Sequence, residues 1–233
     1  MSRTAQSPEV DRLVHAILPH VAFDGWSDVA FAEAVRDVGM SREAARALCP
    51  RGAVDLAVAF HKAGDAAMVA AVEAADLGSM RYSDRVSFAI RARLAAAADK
   101  EAVRRGSALF ALPHLAAEGA ALIWGTADTI WTSLGDTSTD GNWYTKRATL
   151  AAVYASTVLF WLGDDSFEEQ ATDDFIDRRI DNVMQVEKIK AQVNAMPLLK
   201  PVTAPFAAFM ERVRAPSAAA SAEDLPGRWT QPR

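Results

Sequence analysis

The stretch from Val35 to Leu48 reads VRDVGMSREAARAL, and its apolar, glycine and serine positions have the spacing of a helix-turn-helix. Gly39 lies at the corner, where a residue without a Cβ can adopt the left-handed backbone that ends a helix. Ser41 follows, and its hydroxyl can cap the second helix. The pattern predicts two short helices, at about 27–38 and 41–48.

The remainder of the chain extends this helical pattern. Apolar residues recur at the helical period, alanine is abundant, and proline and glycine lie between segments. Further helices are predicted at about 8–18, 53–75, 83–98, 113–134 and 143–162, and a shorter helix is predicted to end near 112. A turn is predicted at 20–26. A capping box, Ser166-Phe-Glu-Glu169, is predicted to begin the last helix. We expect an all-α chain with a helix-turn-helix-like region at 1–52, a helical bundle at 53–196 and a C-terminal segment and tail at 197–233.

Composition excludes several classes of protein. A chain of 233 residues with 51% hydrophobic and 24% charged residues can bury a full core, so wholesale disorder and a collagen-like fold are excluded. The net charge of −5 gives no global field that would hold nucleic acid, which is not an expected partner. Cys49 is the only cysteine, so we expect a packed thiol and no internal disulfide. No apolar run reaches the roughly 20 residues of a bilayer span.

Residues suited to catalysis or metal binding are sparse. Histidine occurs four times, and no histidine follows a glutamate by three positions, the spacing that places two iron ligands on one helix face. The zincin, dinucleotide-binding, P-loop and nucleophile-elbow motifs are absent as well. His61 with Asp65, and His114 with Glu118, are predicted to be surface or capping pairs. We therefore expect neither an enzyme nor a bound metal or cofactor.

The helix-turn-helix supports two interpretations. Arg42 and Arg46 could contact DNA, as expected of a ligand-responsive transcription regulator. However, the second helix is mainly alanine, and Glu43 at its N-terminus would repel phosphate. We favour a structural role and keep the regulator as the alternative.

Aromatic residues concentrate in the second half of the chain. They can pack between helices, or they can line a large apolar ligand pocket, and composition leaves both possibilities open. The candidate lipid-binding residues are Trp124, Trp131, Tyr154, Phe160 and Trp161.

The segment at 135–154 reads GDTSTDGNWYTKRATLAAVY and resembles the ubiquinone-biosynthesis accessory family, the lipid-binding ninth coenzyme-Q protein. Two other segments support the resemblance. LPHVAFDGW at 18–26 is similar to the opening of the family, and FIDRRIDNVM at 175–184 is similar to its last bundle helix. The resemblance covers about residues 8–196.

The resemblance implies a TetR/FadR-like all-α bundle that keeps the helix-turn-helix form without an established regulatory role. It implies a homodimer formed through the last two bundle helices, and an internal tunnel that holds an isoprenoid quinone or a phospholipid. The implied partner is demethoxyubiquinone hydroxylase or an equivalent quinone hydroxylase, to which the family presents its substrate. The matching partner-facing positions are Asp140, Asn142, Trp143, Tyr144, Lys146 and Arg147.

The segment PFAAFMERVR at 205–214 places four apolar side chains on one face of a short helix: Phe206, Phe209, Met210 and Val213. This face could dock reversibly in the headgroup region of a membrane or cover a groove on the protein itself. The sequence therefore predicts a non-enzymatic lipid-binding accessory protein that presents a polyprenyl quinone to a hydroxylase at the membrane surface. We expect it in the cytoplasm, peripheral to the inner face of a bacterial plasma membrane.

Overall fold

The computed structural model describes residues 7–97, 99–139 and 141–195, and it describes side chains for all of these except 141 and 186–195. The described residues form nine α-helices, one 3-10 turn and no strand, which confirms the all-α prediction for this part of the chain. In chain order the elements are α1 (Pro8–Asp24), α2 (Asp28–Asp37), α3 (Arg42–Leu48), α4 (Ala53–Ala74), α5 (Tyr82–Ala95), α6 (Lys100–Phe110), α7 (Ala116–Ser133), α8 (Gly141–Leu162), the 3-10 turn (Phe167–Glu169) and α9 (Gln170–Ala195).

The helix-turn-helix is present as predicted. The Ser27 hydroxyl accepts a hydrogen bond from Ala30 N at 3.2 Å, and the Ser41 hydroxyl accepts one from Ala44 N at 3.1 Å, so a serine caps each helix. Gly39 has a φ of +67°, which a residue with a Cβ rarely adopts. Both predicted helices are therefore confirmed.

The first helix is longer than predicted. It continues through Pro19 and ends before Gly25, so the turn predicted from residue 20 is wrong. Pro19 is exposed, and water can reach the carbonyl that the proline leaves without an N–H partner. The added turn also buries Val21, which extends the apolar stripe of the helix and favours its continuation.

Half of the predicted capping box is present, since the Ser166 hydroxyl accepts a hydrogen bond from Ala171 N at 3.0 Å at the start of α9. The other half is wrong, because the Asp164 carboxylate, and not Glu169, accepts from Ser166 N at 2.8 Å, and it also accepts from Thr172 N at 2.9 Å. Hydrogen bonds from the Thr172 side chain and then from Ser166 hold the pKa of Asp164 below its usual range. Glu169 does not reach back to Ser166 but pairs with Lys100 at 2.9 Å.

Two apolar cores organise the bundle. The first core joins α1, α2, α3 and the beginning of α4, and it includes Ala102 from α6. The second core joins the end of α4 to α5, α7, α8 and α9, with Met68 and Val72 as the α4 contribution. Because α4 contributes to both cores, the first core extends beyond residue 52, the predicted end of the N-terminal region.

Some predictions fall outside the described residues. Asp140 is one, and the candidate membrane-docking side chains Phe206, Phe209, Met210 and Val213 are the others. Among the described helices, none combines the length and the apolar character needed to cross a bilayer. The apolar helix α8 is not covered on all sides within one chain, since Leu159 and Phe160 are exposed.

Candidate functional site

A cavity of about 290 Å³ lies at the seam between the two cores. Helices α4, α5, α6, α7 and α8 build its wall together with Trp26, which precedes α2. The wall is largely apolar, with Phe60, Phe110 and Ile123 among its residues, and Leu159 lines it from the surface side. Because Leu159 is 70% exposed, the cavity reaches the outside of the bundle along α8.

One part of the wall is polar. His61 and Arg93 line the cavity there, next to Tyr154. Arg93 Nε donates to Asp65 Oδ1 at 2.7 Å, and its Nη2 donates to the His61 carbonyl at 3.0 Å. The side chains of Arg93 and Asp65 are only 5% and 15% exposed, so this is a buried ion pair. Sequence analysis missed this pair, because the two residues are on different helices.

A hydrogen-bonded chain extends the ion pair to His61. The Thr126 hydroxyl donates to Asp65 Oδ1 at 2.9 Å and lies 2.9 Å from His61 Nε2, which must then be the donor of that second bond. Burial, followed by the nearby charge of Arg93, lowers the pKa of His61 to about 4. His61 is therefore neutral at neutral pH, and the prediction of a surface pair with Asp65 is wrong because both side chains are largely buried.

Gly64 makes room for the guanidinium of Arg93. A Cβ at Gly64 would lie 2.5 Å from Arg93 Nη1 and 2.7 Å from Cζ. We expect Gly64→Ala to lower the free energy of unfolding by about 1–3 kcal/mol, because the guanidinium is held by Asp65 and cannot move without disturbing the ion pair. Urea unfolding monitored by circular dichroism measures this change.

Gly125→Ala is the matched control for this prediction. Gly125 is also inside a helix, α7, but a Cβ there would meet no atom within 4 Å. Alanine favours a helix over glycine, so this variant is expected to gain up to about 1 kcal/mol. Loss of stability in both variants, or in neither, would contradict the role assigned to Gly64.

The five predicted lipid-binding aromatics do not share one site. Tyr154 and Trp161 line the cavity. Trp131 instead stacks on a tyrosine of α5 with ring centroids 5.8 Å apart, and Phe160 stacks on a phenylalanine of α9 at 4.4 Å. Trp124 contacts the rings at the start of α8. These three residues are not among those that line the cavity, and their neighbours come from contacts between helices that sequence spacing does not show.

The start of α8 forms a second feature, which we call the aromatic patch: Trp124, Asn142, Trp143 and Tyr144. Trp143 and Tyr144 meet edge to face with centroids 4.8 Å apart, and Trp124 lies 6.0 Å from Trp143. The three rings are half-buried, and Asn142 is exposed. The patch therefore presents aromatic edges at the surface, although Trp143 is less exposed than the sequence predicted.

Arg147 supports the patch from beneath, and Lys146 shares its Asp136 partner. Arg147 is 3% exposed and pairs through Nε with Asp128 at 2.5 Å and through Nη1 with Asp136 at 3.1 Å, while its Cζ lies 4.0 Å from the Trp143 ring centre. Lys146 Nζ lies 2.7 Å from Asp136. Burial raises the pKa of Asp136, but hydrogen bonds from Lys146, a serine hydroxyl and Arg147 hold it below its usual value. The prediction that Arg147 faces a partner is corrected, since its guanidinium is buried.

One of the two candidate DNA-contacting arginines of the helix-turn-helix forms a surface ion pair with α2. Arg46 Nη2 lies 2.7 Å from an Asp28 carboxylate oxygen, and its Cζ lies 5.0 Å from the Phe31 ring centre. Arg42 is exposed, next to Glu43 in the first turn of α3. These contacts agree with the structural role that we favoured from the sequence.

Two smaller predictions have opposite outcomes. Cys49 is buried, and burial raises the pKa of its thiol to about 11, so the packed thiol is confirmed. Glu118 forms its ion pair with Arg51, at 2.7 Å. The predicted pairing of His114 with Glu118 is therefore wrong, because Arg51 reaches Glu118 from the turn before α4.

The arrangement of these helices belongs to the TetR class of folds. A crystal structure of the TetR transcriptional regulator from Nitrosomonas europaea superposes with a TM-score of 0.63, covering 75% of this chain and 97% of that one. The identity between the two sequences is 20%, so this similarity establishes the fold alone. The predicted TetR-like bundle is thereby confirmed.

The family comparison is more specific. The model of the COQ9 family matches residues 116–187, which include part of the cavity wall and the aromatic patch. Over 192 residues the chain is 29% identical to the Homo sapiens protein named ubiquinone biosynthesis protein COQ9, mitochondrial, covering 79% of this chain and 60% of that protein. The resemblance to the family of COQ9 ubiquinone biosynthesis proteins is confirmed.

Relatives from other organisms match to the same extent. The COQ9 protein of Rattus norvegicus is 30% identical over 192 residues, covering 79% of this chain and 61% of that protein. The protein of Dictyostelium discoideum named probable ubiquinone biosynthesis protein coq9, mitochondrial, is 28% identical over 191 residues, covering 78% and 62%. The chain thus spans about three fifths of the length of these relatives.

Proposed function

We propose that this chain is a non-enzymatic accessory protein of ubiquinone biosynthesis. It binds an isoprenoid quinone intermediate in the cavity between the cores and presents it to a quinone hydroxylase at a membrane surface. The observation that carries the proposal is a largely apolar cavity of about 290 Å³ in a chain similar to ubiquinone biosynthesis proteins.

Elementary thermodynamics explains why such a carrier is useful. Each buried CH₂ of a polyprenyl tail favours an apolar site over water by about 0.8 kcal/mol, so the substrate does not leave a bilayer for solution. A carrier must replace the bilayer with apolar side chains. The cavity volume of about 290 Å³ is near the lower end of the roughly 300–1,000 Å³ typical of ligand pockets. A cavity of this volume suits a quinone head group and a few isoprene units. The rest of the tail can leave past Leu159, the exposed residue of the wall.

We place the hydroxylase on the aromatic patch. Half-buried aromatic rings that are held by ion pairs underneath keep their geometry, and such rings are enriched where partners bind. Trp143→Lys is expected to weaken hydroxylase binding at least about tenfold, because it replaces a contacting ring with a cation beside Arg147. A pull-down or surface titration with purified demethoxyubiquinone hydroxylase measures the change.

Phe23→Lys is the control for this variant. Phe23 is an exposed aromatic residue on α1 and packs in neither core, so its replacement should leave hydroxylase binding unchanged. Circular dichroism checks the fold, since the half-buried Trp143 ring also contributes to stability. If Trp143→Lys keeps its helicity and still binds the hydroxylase normally, the partner does not dock on the patch.

We also propose a homodimer formed through α8 and α9. Each helix exposes a large apolar side chain, Phe160 on α8 and Met184 on α9, and such surfaces mark interfaces in soluble proteins. Sedimentation velocity should give twice the mass of one chain at micromolar concentration, and a single-chain mass would contradict the dimer.

The membrane part of the proposal comes from the sequence of residues 205–214. Deleting this segment is expected to reduce flotation of the protein with anionic lipid vesicles and to leave the helicity of the remaining chain unchanged, because the four apolar residues drive docking. Equal flotation of both chains would show that the segment does not dock.

We propose the inner face of a bacterial plasma membrane as the location, and cell fractionation tests it.

A transcription regulator is the second candidate function, because α2 and α3 keep the helix-turn-helix geometry and the fold matches a TetR regulator. Glu43 in the first turn of α3 weighs against it, since a carboxylate at the N-terminus of the second helix would repel phosphate. A salt-dependent mobility shift of specific promoter DNA would favour the regulator.

A further inference from the structure

Tyr154 contributes a hydrogen-bonding group to the cavity that the protein itself does not use. The residue is 3% exposed and lines the cavity from α8. Its hydroxyl lies in the cavity wall and makes no hydrogen bond within the part of the chain that the structure describes. Burial raises the pKa of Tyr154, so the phenol keeps its proton and remains a donor. A hydrogen-bond acceptor on a bound molecule would give the Tyr154 hydroxyl its missing partner.

The charge around this hydroxyl is balanced. The Arg93 guanidinium, whose Cζ lies 5.9 Å from the Tyr154 ring centre, is the cation of the wall, and the Asp65 carboxylate compensates it at 2.7 Å. The Thr126 hydroxyl and the neutral His61 complete the cluster without adding charge. An anionic head placed here would find no cation free to balance its charge, because Asp65 already balances Arg93. Burial of an unbalanced charge is strongly unfavourable.

We propose that Tyr154 determines head-group specificity: its hydroxyl donates a hydrogen bond to an oxygen acceptor on an uncharged ligand head, and the compensated Arg93–Asp65 pair excludes anionic heads such as phosphate. The inference depends on the proposed lipid-binding function and adds to it the chemical class of the head and its orientation. The head lies against Tyr154 and His61, and the apolar chain extends from there toward Leu159.

Three probes with the same alkyl chain test this inference: octylbenzoquinone, octylbenzene and octyl phosphate. Each competes with Nile red for the cavity of the full chain. Tyr154→Phe removes one oxygen atom and is expected to weaken octylbenzoquinone binding about five- to tenfold, which corresponds to one net hydrogen bond. Octylbenzene binding should be unchanged, because its head has no acceptor. The wild-type chain should bind octyl phosphate at least about tenfold more weakly than the quinone.

Tyr82→Phe is the matched control. Tyr82 lies on α5, stacks on Trp131 and does not line the cavity, so the same chemical change there should alter none of the three affinities. Circular dichroism melting confirms that both variants fold.

The outcomes separate this inference from the proposed function. If Tyr154→Phe changes quinone and octylbenzene binding by the same factor, or if octyl phosphate binds as tightly as the quinone, the specificity inference is overturned and lipid binding stands. If none of the probes competes with Nile red for the wild-type chain, both are overturned.

Discussion

Asp65→Ala is expected to lower the free energy of unfolding by about 3–5 kcal/mol, because it leaves the buried Arg93 guanidinium without its carboxylate. Arg93 is 5% exposed, and the Nε–Oδ1 distance of 2.7 Å makes the pair a short, charge-assisted hydrogen bond. In the same variant the Thr126 hydroxyl loses the Asp65 acceptor and keeps only the Leu122 carbonyl, at 3.3 Å. Equilibrium urea unfolding measures the change.

Asp84→Ala provides the control for this prediction. Asp84 pairs with Arg81 at 2.9 Å, but the pair is on the surface and its arginine is largely exposed. Exposed pairs contribute about 0–1 kcal/mol, so this variant should unfold almost like the wild type. A double replacement, Asp65→Leu with Arg93→Met, should regain most of the lost stability because it removes both buried charges. Similar small losses for Asp65→Ala and Asp84→Ala would show that the inner pair is not buried.

Ser107→Trp is expected to abolish lipid loading, with at least about a tenfold loss of bound lipid per chain. Ser107 lines the cavity from α6, and an indole there would occupy a large part of its 290 Å³. The side chain enters existing space, so the cost in stability should stay below the roughly 1–3 kcal/mol of an overpacked core. Organic extraction of the purified variant followed by mass spectrometry measures the lipid content.

Ala108→Trp is the matched control on the same helix. Ala108 is exposed and does not line the cavity, so an indole there should leave the lipid content unchanged. Equal lipid content in both variants would show that the lipid binds elsewhere.

Local features of the fold could be predicted from the sequence. Gly39 and the caps Ser27 and Ser41 act within one helical turn, so their spacing suffices to predict α2 and α3. The Glu169 half of the capping box failed because a distant residue intervened: Lys100 pairs with Glu169 and removes it from the cap. Burial of Val21 likewise outweighed the tendency of Pro19 to end a helix.

The polar cluster of the cavity could not be predicted from the sequence for a related reason. His61 and Asp65 share a helix face, which the spacing showed, but their burial depends on Arg93 and Thr126 from two other helices. Gly64, a glycine inside an otherwise good helix, was the one local signal, and its significance became clear only from the guanidinium packed against it.

The partner-facing positions show a similar limit. The sequence segment at 135–154 carried the resemblance to the family, and the structure places Asn142 at the surface and leaves Trp143 and Tyr144 half-buried there. The sequence alone could not show that Arg147 is buried between Asp128 and Asp136. Long cationic side chains in a motif can contact a partner or support the residues that do, and only their ion pairs distinguish these roles.

Native mass spectrometry of the gently purified full chain tests most directly whether the seam between the two cores holds a lipid. We expect a bound species whose mass, after release and fragmentation, is that of an uncharged isoprenoid quinone or its precursor. This species should be missing from Ser107→Trp and present in Ala108→Trp. Wild-type protein that carries no lipid under conditions that preserve its fold would contradict lipid binding at the seam.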